Sequence, residues 1–250
     1  AIAVAFIYKP STVTLAPGAI ALLDDAVAAT LPSFSDHDFN LEPIFNGEAT
    51  NRVSLAASFT HLASNQVITI AANHFKSKGS SGLSDEQSLN FDQNDGAGFW
   101  NHRRRLAAKA VNEWLTSDPT GIATSNRIIL GDLNAYAKEQ PVQWLLDNGY
   151  RNVESEFAYS YIFDGQVGTL DYLLVSDELW QALTQASVWH INADEPDALD
   201  YNLDFGKSDA YFDGSSPTRH SDHDPVVAGF YFDKQQYKPL AELVTTAIHN

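Results

Sequence analysis

Two histidines, three carboxylates and one amide stand at the ends of strand-like runs: His74, Asp132, Asn134, Asp171, Asp222 and His223. They occur in Asn73-His74, Gly131-Asp132-Leu133-Asn134, Leu170-Asp171-Tyr172 and Ser221-Asp222-His223-Asp224-Pro225. Hard divalent cations prefer oxygen ligands and keep several waters. Asp132, Asn134 and Asp222 supply such ligands. In Asp132-x-Asn134 the two side chains point the same way if the segment stays extended. His223 could act as an acid or as a phosphate donor. Asp171 is suited to orient an imidazole, because a buried carboxylate fixes the tautomer and favours the imidazolium. His74 could donate to a phosphate from the opposite side. Such an inventory suits a metal ion plus a phosphate ester, whose cleavage needs activated water, neutralised charge and a stabilised leaving oxygen.

Each motif alone is weak. Gly131-Asp132 is a common strand-to-loop turn, a histidine after a strand is most often a surface or satisfied core residue, and Asp171 could be a strand cap. His220-x-x-His223 lacks a third convincing zinc ligand. Their conjunction, in order and each at a strand terminus, is much harder to dismiss. A serine hydrolase is disfavoured by the absence of a Gly-x-Ser-x-Gly elbow. There is no cysteine, which excludes disulfides and thiolate metal sites.

The elements that must position these residues alternate along the chain. Strands are predicted at 2–8, 52–59, 66–72, 127–130, 171–175, 187–191 and 226–232. Most are continuous apolar runs, as in sheets covered on both faces. Helices are predicted at 101–117 with Asn101 as N-cap, at 140–148, and at 177–185 with Ser176 as N-cap. The Ala-rich stretch 17–31 reads as a short surface helix. Loops at 77–100 and 192–218 are long, and loops of that size are usually functional or disordered. The mixture argues for a layered α/β or α+β domain. One domain is expected over 1–233, followed by a C-terminal helical tail over 234–250.

The 250 residues, 44% of them apolar, suffice for one sizeable core, and no apolar run reaches the length of a membrane span. The formal charge of −17, from 15 basic and 32 acidic residues, opposes non-specific nucleic-acid binding. A polyanionic substrate would therefore need local basic patches or bound cations. Lys76, Lys78, Arg103, Arg104, Arg105 and Lys109 concentrate positive charge just after His74. Three arginines in the first turn of a helix oppose its macrodipole, which makes sense if an anion lies nearby. Arg104 is the better candidate for phosphate contact. The expected substrate-binding set is Asn73, Lys76, Lys78, Asn101 and Arg104.

The motifs around His74, Asp132, Asp171 and His223, with Phe75-Lys76-Ser77-Lys78-Gly79, resemble the endonuclease/exonuclease/phosphatase superfamily. Ile7-Tyr8-Lys9-Pro10 and the segment 189–202 further resemble its bacterial secreted nucleases. The resemblance runs from residue 1 to about 232. It implies a four-layer α/β sandwich of two mixed sheets flanked by helices. It also implies magnesium or manganese as cofactor, with calcium in secreted members, and an extracellular location. By motif, His74 and His223 are the paired histidines, and Asp171 orients one of them. Asp132 and Asn134 position water and phosphate, and Asp222 is a metal carboxylate. The implied activity is hydrolysis of DNA, with RNA as a further substrate and no protein partner. Lipid or inositol phosphate hydrolysis and a non-catalytic binding module are the alternatives. The family pattern opens with strands carrying an Asn and a metal-binding Glu, and this sequence enters later. The expectation is an N-terminally incomplete domain with weak metal binding and little turnover.

Overall fold

The computed structural model describes residues 3–200, 202–204 and 207–232. The helical tail expected over 234–250 lies outside the described residues. Among the described residues ten strands and four α-helices follow in chain order: β1 (Val13–Leu23), α1 (Asp25–Ala28), β2 (Ser54–His61), β3 (Val67–His74), α2 (Asn101–Thr116), β4 (Arg127–Asp132), α3 (Gln140–Asp147), β5 (Tyr150–Asn152), β6 (Tyr161–Phe163), β7 (Gln166–Gly168), β8 (Asp171–Ser176), α4 (Asp177–Trp180), β9 (Leu183–Val188) and β10 (Val226–Phe230).

Six strands form one mixed sheet in the order β1-β2-β3-β4-β8-β5. Only β3 and β4 pair in parallel; the other neighbours are antiparallel. A parallel pair needs a long crossover, and the loop 75–100 with α2 supplies it. One face of the sheet packs Ala71, Ile129 and Leu174 under α2 and α3, against Val111, Leu115 and Leu145. The other face packs Ile70, Leu130 and Leu173 against Ala186, Val226 and Ala228 of the antiparallel pair β9–β10. The described chain is thus an α/β sandwich, with helices, a six-stranded sheet and a two-stranded sheet as its layers. Burial on both faces explains why the central strands read as unbroken apolar runs.

Several local expectations are corrected. Residues 3–9 form no strand. The stretch 17–31 is not one helix: residues 17–23 complete strand β1. Beyond a bulge between Leu15 and Ile20, residues Ala19, Ala21 and Leu23 turn inward while Ile20 and Leu22 face out, a period of two. Helix α1 begins only after Asp24, whose carboxylate caps Val27 N–H at 2.9 Å. The helix expected over 177–185 stops at Trp180, because Leu183 is already paired with Phe230. The strand expected over 187–191 lies earlier, at β9. It ends before Trp189 because the Asp224 carboxylate accepts from Ile191 and Ala193 N–H and folds the chain away. Asn101 does not cap α2; the cap position is Trp100, in the left-handed region at φ 66°.

Candidate active site

Register brings the chemistry together. The parallel pair β3–β4 sets His74 opposite Asp132, and the antiparallel pair β4–β8 sets Asp132 opposite Asp171. Three titratable side chains therefore sit in a row across neighbouring strands, spaced by the sheet at about 4.8 Å per strand. The turn before β10 adds Asp222 and His223, and a bridge between Tyr161 and His223 ties that turn to β6. His74, Asp132, Asn134, Asp171, Asp222 and His223 all line one cleft of about 410 Å³, with Ser77, Tyr161 and Leu170.

Gly131 makes the row possible. Its φ is +120°, and a Cβ there would lie 2.0 Å from the Asn73 carbonyl oxygen. Only glycine lets β4 approach β3 closely enough to seat the next residue, Asp132. Asn134, at φ 47°, turns back on Asp132: its backbone N–H donates to Oδ1 at 2.7 Å and its side-chain NH₂ to Oδ2 at 2.8 Å. That NH₂ also donates to the Phe75 carbonyl at 3.1 Å. Both neighbours are acceptors, so the amide presents its nitrogen to Asp132 and orients the carboxylate.

The two histidines differ in state. His223 Nδ1 donates to Asp171 Oδ2 at 2.6 Å, and Ser160 Oγ donates to the same oxygen at 2.8 Å. Burial opposes charge on His223. The hydrogen bond and charge of Asp171, with Asp132 and Asp222, outweigh it and raise its pKa to about 9. His74 is pushed down by burial and then by the charges of Arg52 and His223. It lies 3.6 Å from Asp132, beyond a good hydrogen bond. At neutral pH the cleft therefore pairs a cationic imidazolium with a neutral imidazole. Asp132 is pushed up to about 7, first by burial and then by Asp171. It is a carboxylate short of positive charge.

Asp132, Asp171 and His223 offer ligand atoms within 4.8 Å of one another, a group that could hold a metal ion. A second such group, His190, Asp194 and Asp224, does different work. Asp224 Oδ2 accepts from His190 at 2.9 Å, and Oδ1 from three backbone N–H groups of residues 191–193, so this carboxylate braces a turn.

None of the expected substrate-binding residues lines the cleft. Arg104 is fully buried; its guanidinium donates to the carbonyls of Lys76, Phe99 and Ala97 and faces Glu139 at 3.6 Å. Carbonyls hold both terminal nitrogens, Nε alone lacks a partner, and at 0% exposure a phosphate has no access. Asn73 is buried, accepting from Ser54 and donating to Ala71 and Leu130 carbonyls. Lys78 pairs with Glu139 and donates to the Ala97 carbonyl. Lys76 folds onto Ser77, and burial brings its pKa down to about 8. Asn101 reaches only Gln140. These side chains secure the loop 77–100 against α2. Ser160, Tyr161 and Ser77 were not anticipated. For Ser160 the one signal is its place before the alternating Tyr161-x-Phe163, where a buried hydroxyl can serve a neighbouring strand.

By sequence, the chain matches no family profile and no curated protein. By structure it is similar to a mannosyl-6-phosphatase of Bacteroides thetaiotaomicron, with TM-score 0.54 and 13% identity. It is also similar to an endonuclease/exonuclease/phosphatase of Bacteroides vulgatus, with TM-score 0.51 and 11% identity. A conserved protein of unknown function from Enterococcus faecalis gives TM-score 0.52 at 15% identity. Each comparison covers 90% of this chain and 69% of the other. The chain has the endonuclease/exonuclease/phosphatase fold. In this fold the row His74–Asp132–Asp171 ends the large sheet, and the Asp222-His223 turn closes it from the small one. No helix among the described residues is long and apolar enough to cross a membrane.

Proposed function

We propose that the cleft is a divalent-metal-dependent phosphoesterase site acting on phosphodiesters of nucleic acid. The observation that carries this reading is the Asp171–His223 pair at 2.6 Å, set in one cleft with Asp132 and His74. A cationic imidazole beside a neutral one divides proton donation from hydrogen bonding, as hydrolysis requires. His223 would give its proton to the departing oxygen while Asp171 and Ser160 hold its ring. Neutral His74 would donate to a phosphate oxygen from the other side. Asp132, fixed by Asn134, would orient the attacking water.

The donor set fits a hard cation. Asp132 and Asp222 are oxygen donors beside Asp171, and the His223 imidazolium offsets only part of the negative charge they gather. Magnesium or manganese would be held by Asp132 and Asp222, with calcium as a further candidate. Lewis-acid neutralisation of the phosphate is what such an ion supplies when bound. Cleavage of plasmid or single-stranded DNA by this protein with added magnesium, lost in His223→Ala with folding unchanged, tests the reading. No cleavage of either under any of the three metals would reject it. Recovery of the activity from culture medium would support the secreted location.

A second reading is a phosphatase of small phosphate esters. The −17 charge and the inward-turned Arg103 and Arg104 favour it, because they leave little positive surface for a long polyanion. Hydrolysis of a hexose or inositol phosphate without cleavage of plasmid or single-stranded DNA would put it first.

A further inference from the structure

Beside the cleft, three rings run outward in series. Tyr161, a lining residue, lies 4.7 Å from the His223 ring centroid. Phe163 follows two residues later on the same face of β6, 6.3 Å from Tyr161 with planes 11° apart. Phe163 is 58% exposed, although it is large and apolar. The hairpin β6–β7 that carries both is firmly fixed. Ser160 N–H donates to the Gly168 carbonyl at 3.1 Å, and Asp224 N–H to the Ser160 carbonyl at 2.8 Å. Tyr136 packs so closely on Gly168 that a Cβ there would meet its ring at 2.4 Å. Parallel rings leading from a reactive imidazole to solvent form a wall against which flat groups can lie.

Resting on the phosphodiesterase reading of the cleft, we infer that Tyr161 and Phe163 form a base-stacking wall, and that the substrate is an unpaired strand or strand end. Stacking accepts every base and needs no positive surface, because each base has a π-face. A duplex presents one phosphate charge per about 1.7 Å of its axis. It would meet a protein of charge −17 whose Arg103 and Arg104 are turned inward. In a duplex, moreover, the bases are already stacked and cannot lie on Phe163. A single strand offers fewer charges and free base faces, so the wall and the net charge select for the same substrate form.

Binding can be read apart from turnover. Fluorescence anisotropy in EDTA would follow a labelled ten-nucleotide oligothymidylate and a labelled duplex of equal length. The wild type is expected to bind the single strand at least about tenfold tighter than the duplex. Phe163→Ala should weaken single-strand binding roughly tenfold, the weight of one stacked base. Phe163→Trp should restore it, whereas Phe163→Leu, which keeps bulk without a π-face, should not. Thermal melting of each variant separates loss of the ring from loss of the fold. Equal or tighter duplex binding, no effect of Phe163→Ala, or no binding by the wild type would each overturn the wall. Hydrolysis of bis(p-nitrophenyl) phosphate, assayed separately with magnesium, reports on the phosphodiesterase site itself. Turnover there without strand binding would remove the stacking inference and leave the phosphoesterase chemistry standing.

Discussion

Asp132 faces Asp171 directly across the antiparallel register of β4 and β8, two carboxylates in cross-strand opposition. Like charges so placed repel by up to about 1 kcal/mol. In the metal-free protein Asp132→Asn should therefore raise the melting temperature by about 2–4 °C while abolishing hydrolysis. Added magnesium or manganese should raise the melting temperature of the wild type and not of the variant. A variant that melts lower than the wild type without metal would show that the pair is not repulsive.

The Asp171–His223 bond predicts a pH dependence. With His223 raised to about 9, activity that needs its proton should fall above that pH. Asp171→Asn removes the hydrogen-bonded charge, so the alkaline limb should move down by more than one pH unit. The same shift bears on stability. A raised pKa contributes stability fully present below the unfolded value of 6.5, and it is lost as pH rises through about 9. Imidazole titration by NMR and chemical denaturation at pH 6 and pH 10 would check both.

Arg104 is a strut, and its loss should show as instability. Arg104→Met leaves the Lys76 and Phe99 carbonyls without this donor and Lys78 alone facing Glu139, costing about 3 kcal/mol or more. Urea denaturation measures this directly. The salt dependence of substrate binding should be unchanged, since no phosphate contact is lost; a shallower slope would return Arg104 to the substrate.

Gly131→Ala should be among the most damaging small substitutions in the chain. The added methyl would meet the Asn73 carbonyl at 2.0 Å and sit at a φ of +120°. Relief requires parting β3 from β4, at a cost upwards of about 3 kcal/mol. The expected result is little folded protein, seen as lost thermal transition and lost solubility. A normal melt would mean that the strands separate more easily than their register suggests.

Arg219 pins the acidic loop. It donates to the carbonyls of Ala193 and Glu195 at 2.5 and 2.7 Å and pairs with Asp197 at 2.5 Å. Arg219→Ala should expose residues 194–218 to limited proteolysis while the sandwich stays resistant. Cleavage sites mapped by mass spectrometry elsewhere in the chain would refute this.

The cleft was legible in the sequence because its residues lie at strand ends, which are marked locally by a polar residue at the edge of an apolar run. Asp132 follows such a run, and Asp171 and the Asp222-His223 turn precede one. The basic cluster misled because position within a helix was read without its face. Arg104 shares the stripe of Ala107, Ala108, Val111 and Leu115, all buried, and that spacing places it inward. Strand β1 was hidden by its bulge at Pro17-Gly18, which breaks the alternation that would otherwise reveal it. Partners such as Ser160 depend on a contact between segments, which no local pattern records.

Register also fixes when the cleft can exist. Asp171 and His223, 52 residues apart, meet only after the chain has been made through the β10 turn. The row it completes needs the long crossover into β4 to have closed first. Contacts of such sequence separation form late and slowly. A growing chain on the ribosome would therefore carry His74, Asp132 and Asp171 without His223 until that turn is made. Hydrolytic competence would arrive in one step, with the turn.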